Sequence, residues 1–75
     1  MSLKQKYIKV AQDFIDRVLP NEDGSFEYDG CTYQENEMEQ LVTDVSNAVD
    51  HEAEAYMSHE SVVEFSQEFW KDFSF

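Results

Sequence analysis

The sequence predicts an α+β fold: three helices packed around one short antiparallel β-hairpin. Two observations predict it. Apolar residues recur at spacings of three and four in three separate segments, and an Asp-Gly pair stands between two short alternating runs. A chain of 75 residues amounts to one domain, 1–75, that buries only about 60–65% of the surface its unfolded form exposes. A chain poor in apolar residues and high in net charge would stay disordered. Here 41% of residues are hydrophobic and 15% aromatic, and their patterning argues for a folded core.

The first element is a helix over 3–19. Ser2 and Gln5 form a capping box at its start. Leu3, Tyr7, Val10, Phe14 and Val18 make one apolar stripe, which Ala11 and Ile15 widen. Lys9–Asp13 and Asp13–Arg17 stand at i,i+4 on the outer face, and Pro20 sets the stop, because the residue before a proline avoids the helical region. After the turn Asn21-Glu22-Asp23-Gly24 comes a hairpin over 25–33. With Asp29-Gly30 as a type I′ turn, Tyr28 faces Cys31, Glu27 faces Thr32 and Phe26 faces Tyr33. Phe26, Tyr28, Cys31 and Tyr33 then share the buried face, and Glu27 and Thr32 stand outside.

A second helix is expected over 35–57, with Met38, Leu41, Val45, Ala48 and Val49 leading on to Ala53, Tyr56 and Met57. Thr32 with Glu35, or Asn36 with Glu39, would cap it. A third helix follows over 60–73, starting near Ser58 or Ser61. Its apolar positions are Val62, Val63, Phe65, Phe69, Trp70 and Phe73. Nothing between Met57 and Ser61 is Gly or Pro, but one unbroken helix would leave the chain no means of closing a core. Phe65, Phe69 and Phe73 follow the helical period and are expected in the core. Trp70 and Phe75 fall off the stripe or past its end and are expected to be exposed.

Charge dominates the functional reading. Seventeen Asp and Glu stand against five Lys and Arg, a formal net charge of -12. Between Arg17 and Lys71 lie 53 residues with fourteen carboxylates and no lysine or arginine; residues 1–17 sum to +2 and residues 18–75 to -14. Such a surface attracts basic partners and repels nucleic acid, whereas an ordinary soluble surface mixes both signs. Glu60, Glu64, Glu68 and Asp72 are each four apart, an acidic stripe with about 6 Å between successive members along a helix. Asp50 and Glu54 on the second helix, with Glu27 and Asp29 on the hairpin, form a second group. These carboxylates are suited to accept hydrogen bonds from Lys and Arg.

Other chemistry has little support. His51 and His59 lack the spacing that sets two metal ligands one turn apart. Asp23-Gly24-Ser25-Phe26-Glu27 is not a calcium loop, and Cys31 has no cationic neighbour in sequence to activate it. The expectation is a non-enzyme without cofactor or metal, which binds neither nucleic acid nor membrane. The absence of an apolar leader or span and the single cysteine suit a cytoplasmic location.

In size, charge and helix content the chain resembles the small acidic inhibitors of phages and mobile elements: DNA mimics, anti-restriction and anti-CRISPR proteins. The resemblance rests on no motif. It implies an inhibitor that sets its carboxylates against the basic nucleic-acid-binding surface of a host defence or DNA-processing protein. An immunity-type protein neutralising a basic toxin would use the same surface. The other expectation is an adaptor or assembly subunit that docks through the aromatic C-terminal helix, with Trp70 as its anchor. A homodimer is a further arrangement that the basic first helix allows.

Overall fold

In a computed structural model residues 2–75 are described, in the order α1 (Leu3–Ile15), β1 (Leu19–Pro20), β2 (Phe26–Tyr28), β3 (Cys31–Tyr33), a 3-10 turn (Glu35–Glu37), α2 (Met38–Ala53) and α3 (His59–Trp70). The strands form one antiparallel sheet in the order β1-β2-β3. The fold is α+β, and the expected hairpin is two strands of a three-stranded sheet.

Helix α1 begins as its sequence dictates. Ser2 Oγ accepts from Gln5 N at 3.2 Å, and Gln5 Oε1 accepts from Ser2 N at 3.3 Å, so each residue satisfies a backbone donor of the other. Its end departs from the expected 19. Arg17 N bonds Phe14 O and Val18 N bonds Ile15 O, tightening the chain out of the helix. Leu19 and Pro20 then become β1, paired with Glu27 and Phe26. The residue before a proline favours extended backbone, and β2 offers it a ladder. Pro20, which has no N–H to donate, is tolerated because β1 is an edge strand.

The turn into β2 is held by Asp23, whose Oδ1 accepts from Ser25 N at 3.0 Å and Ser25 Oγ at 2.6 Å. The β2–β3 hairpin has the register its sequence specifies: Phe26 opposite Tyr33, Glu27 opposite Thr32, Tyr28 opposite Cys31. Asp29 and Gly30 both take positive φ, 52° and 78°, as a type I′ turn requires. One side chain on the inner face differs from expectation. Tyr28 is buried, but Cys31 opposite it is exposed: the tyrosine ring is long enough to reach the helices, and the thiol is not.

Helix α2 is shorter than 35–57 at both ends. Glu35–Glu37 form the 3-10 turn, where Glu37 Oε1 accepts from Gln34 N at 3.0 Å. Past Ala53 the chain closes through Tyr56 N to Ala53 O and Met57 N to Ala53 O. Ser58 is extended and caps α3, its Oγ accepting from Ser61 N at 3.3 Å. The break between the helices falls where it was expected, with Ser58 rather than Ser61 as the cap. Helix α3 starts one residue before 60 and stops at Trp70, so Asp72 and Phe73 lie beyond it.

Leu41, Val45, Val49 and Ala53, four apart along α2, are wholly buried, as are Tyr7 and Ala11 of α1; Val62 of α3 is nearly so. The α2 stripe is central, since α2 packs against α1, α3 and β3. Phe65 and Phe69 pack on Tyr7 with ring centroids 6.2 and 6.1 Å away, and Phe75 returns to Phe26 at 5.9 Å. No helix among the described residues is long and apolar enough to cross a membrane.

A polar cluster joins the three helices. Tyr7 Oη donates to Asp50 Oδ1 at 2.6 Å, Ser66 Oγ donates to Asp50 Oδ2 at 2.9 Å, and Trp70 Nε1 donates to Tyr7 Oη at 2.8 Å. Trp70 is therefore half-buried and engaged, contrary to the expected exposure. It follows Ser66 by one turn of α3, so both side chains face the same seam. Phe75 is likewise half-buried, through its contacts with Phe26 and Phe73. Removing the Tyr7 hydroxyl takes a donor from a carboxylate and strands the indole N–H. Tyr7→Phe is expected to lower stability by about 1.5–3 kcal/mol, seen as a lower urea midpoint at unchanged slope.

Candidate functional site

Of the seventeen carboxylates, fifteen are exposed; only Asp44 and Asp50 are partly buried. Positive charge is confined to the ends of the chain: Lys4, Lys6, Lys9 and Arg17 on or just after α1, and Lys71 after α3. The sheet, the 3-10 turn and α2 carry none. Two of the cations lie over rings, Lys6 Nζ 4.8 Å from the Tyr56 centroid and Arg17 Cζ 4.2 Å from that of Phe14. Among the described residues Lys4 and Glu68 form an ion pair at 2.8 Å, and His59 Nδ1 lies 3.1 Å from Glu54 Oε1, an ion pair only when the ring is protonated. The expected Lys9–Asp13 and Asp13–Arg17 ion pairs are absent among those residues, and Arg17 lies outside the helix.

The nine residues singled out in the sequence therefore have different fates. Glu60 and Glu64 project from α3 into solvent. Glu68 continues their row, but successive i,i+4 positions drift around a helix of 3.6 residues per turn. By Glu68 the row has reached the α1 side, where Lys4 meets it and holds its carboxyl below the usual range. Asp72 is exposed in the turn that follows. Glu54, beyond the end of α2, accepts from or pairs with His59. Glu27 is exposed at mid-strand and Asp29 in the hairpin turn; both are carried on the sheet, a separate element from α3.

Two of the nine carry bonds inside the fold. The Asp50 carboxylate is partly buried and accepts from Tyr7 and Ser66, so it acts as a structural acceptor. The Trp70 indole is committed to Tyr7 and does not stand out as a docking epitope. The partner at Tyr7 was concealed by its place in an apolar stripe; the one signal was that a buried tyrosine hydroxyl requires a bond.

Asp44 was not singled out either. Its Oδ2 accepts from the Tyr33 hydroxyl and its Oδ1 from Gln40 Nε2 at 2.8 Å, which fixes β3 to α2. Tyr7 and Asp50 thus have a counterpart at the sheet end. The Asp44 bond, with burial, pushes the Tyr33 hydroxyl up to about 12, while burial, with the Asp50 bond, raises that of Tyr7. Burial, reinforced by nearby Asp29, also raises Tyr28. At Asp23 the bonds from Ser25 lower the carboxyl.

The surface formed by the described residues has several hollows. One of about 270 Å³ follows the α1–α3 seam under the Lys4–Glu68 pair, and one of about 280 Å³ is bordered by Lys6, Lys9 and Tyr56. Another, of about 480 Å³, lies between α2 and the chain that follows α3. Among the described residues no group of three or more His, Cys, Asp or Glu is placed to hold a metal ion. His51 and His59 are separated by the end of α2, so no single helix presents them together.

In comparisons with known proteins, no family model, curated protein or solved structure matches this chain. What its surface can do follows from its own residues.

The sign of the Tyr33 effect is definite. A hydroxyl pKa raised by folding stabilises the protein below the unfolded value near 10, and that contribution is lost as pH rises through about 12. Asp44→Asn removes the charge that opposes ionisation. It is expected to bring the Tyr33 titration back toward the ordinary value, followed by tyrosinate absorbance against wild type.

Proposed function

We propose that this chain is a non-enzymatic inhibitor whose carboxylate-rich surface occupies the basic nucleic-acid-binding surface of a partner protein. The partner class is a host defence or DNA-processing protein, as for anti-restriction and anti-CRISPR inhibitors. The observation that supports this reading is the partition of charge on the folded surface. Fifteen carboxylates are exposed, and α2 and all three strands are without a single lysine or arginine.

A surface of this kind has a physical cost. Like charges at i,i+4 repel by roughly 0.2–0.5 kcal/mol per pair, and Glu60, Glu64 and Glu68 form two such pairs on α3. Solubility alone needs less charge than this. A groove built to neutralise phosphates with Lys and Arg is the surface that such rows complement. Steered association with it is fast and weakens with salt. The same charge argues against direct nucleic-acid binding by this chain.

Within the proposed surface, Glu60 and Glu64 are the primary contacts, since neither has a partner among the described ion pairs and hydrogen bonds. Glu27, Asp29 and Asp72 extend the surface. Glu68 contributes less, because Lys4 already offsets it. The adaptor reading loses Trp70 as its anchor, given that the indole is bonded inside.

The test is capture of partners from host lysate by the tagged protein, followed by challenge with duplex DNA and by Glu60→Lys/Glu64→Lys. A nucleic-acid-binding protein released by DNA is expected. The double reversal is expected to weaken its binding by roughly tenfold or more with the melting temperature kept. Retention in the presence of DNA, or unchanged affinity after the reversal, would contradict the proposal.

A further inference from the structure

We propose that the groove between the first turns of α2 and the chain after α3 is an anchor site. Its occupant is a large apolar side chain carried on a Lys/Arg-rich segment of the partner. The proposal rests on the acidic-inhibitor reading for the partner's charge and adds where its affinity comes from.

The groove has a volume of about 480 Å³, within the roughly 300–1,000 Å³ of sites that enclose a ligand group. Met38 and Val42 of α2 form one wall, and Phe73 and Phe75 form the other. All four are half-buried rather than covered. The second wall is braced: Phe73 meets Phe75 edge-on at 4.9 Å, and Phe75 leans on Phe26 of the sheet at 5.9 Å. A guest side chain therefore meets a preformed apolar slot, which limits the ordering cost of binding.

Charge selects the occupant. The one ionised side chain lining the groove is Glu39, and no lysine or arginine lines it; exposed Lys71 and Asp72, just before Phe73, offset each other. A segment with cationic residues beside its apolar one is matched at the rim, and an acidic segment is repelled. The two hollows beside α1 do not meet this condition, since Lys4 closes one and Lys6 and Lys9 border the other.

Exposed ion pairs contribute little affinity individually and act mainly on encounter rate and specificity. Buried apolar or aromatic anchors account for most of the free energy of protein interfaces. An acidic inhibitor that acts at cellular salt needs such an anchor site, and this groove is the apolar hollow whose rim matches a basic partner.

The test uses two synthetic peptides of equal length and charge, one of Leu and Lys, the other of Ser and Lys. Each is titrated into the isotope-labelled protein and followed by amide shifts. The Leu/Lys peptide is expected to move Met38, Val42, Thr43 and Ser74 and to bind roughly tenfold tighter than the Ser/Lys peptide. Val42→Gln, which keeps the charge, is expected to abolish that difference. Ser74→Arg, in the exposed tail where folding is not at stake, is expected to do the same. Equal binding by both peptides, with shifts confined to Glu60 and Glu64, would overturn the groove and leave the acidic-surface reading standing. Tighter Leu/Lys binding centred on Tyr56 or Val63 would overturn it as well. If neither peptide binds, the groove proposal is overturned, and the acidic-surface reading is decided separately by the DNA challenge and the charge reversal.

Discussion

One carboxylate ties the three helices together. Asp50 sits on α2 and accepts from Tyr7 of α1 and Ser66 of α3, while the Tyr7 hydroxyl in turn accepts from Trp70. A buried or half-buried polar group is costly unless its bonds are made, so this cluster admits few alternative packings of α1 and α3 on α2. Asp44 does a similar task at the other end, joining β3 to α2 through Tyr33. Between these two points runs the wholly buried stripe Leu41, Val45, Val49 and Ala53.

The consequence for the surface is a division of the acidic residues. Asp44 and Asp50 are turned inward and bonded to hydroxyls, where their charge is satisfied by donors. The other fifteen face solvent, and among the described residues only Glu68 is paired with a lysine or arginine, so most of them are without a cation. Repulsion among them opposes the compact state. The core that resists it is small, with ten buried apolar residues among those described. Phe65, Phe69 and Trp70 pack against it around Tyr7, whereas Phe73, expected in the core, stacks on Phe69 at its margin because α3 ends at Trp70. What they leave open is the groove beside Phe73 and Phe75.

The parts of this arrangement that depend on neighbours in sequence were legible beforehand. Ser2 and Gln5 fix the start of α1 through bonds three residues apart. Asp29-Gly30 fixes both the turn and the register of the hairpin, because two residues with positive φ allow only one pairing. The exposure of Glu60 and Glu64 follows from the apolar period of α3. The misplaced features depend on residues far away in the chain. Leu19-Pro20 leaves the helix because β2 pairs with it, and Cys31 is uncovered because only the longer Tyr28 reaches across. Trp70 bonds Tyr7 across 63 positions, Tyr7 bonds Asp50 across 43, and Lys4 meets Glu68 across 64. No local pattern encodes such partners. As a result, Asp50 and Trp70 read as surface groups, and nothing local to Asp44 signals its bond to Tyr33.

Asp44 and Asp50 join the elements of the fold, whereas Glu60 and Glu64 face solvent with no partner among the described ion pairs and hydrogen bonds. Thermal melts at low ionic strength of Glu60→Gln/Glu64→Gln and, separately, of Asp50→Asn test this division most directly. The account predicts an unchanged or higher melting temperature for the outer pair, whose repulsion is relieved. It predicts a fall of several degrees for Asp50→Asn, since about 1 kcal/mol corresponds to roughly 4–8 °C in a domain of this size. A fall for the outer pair as large as that for Asp50→Asn would contradict it.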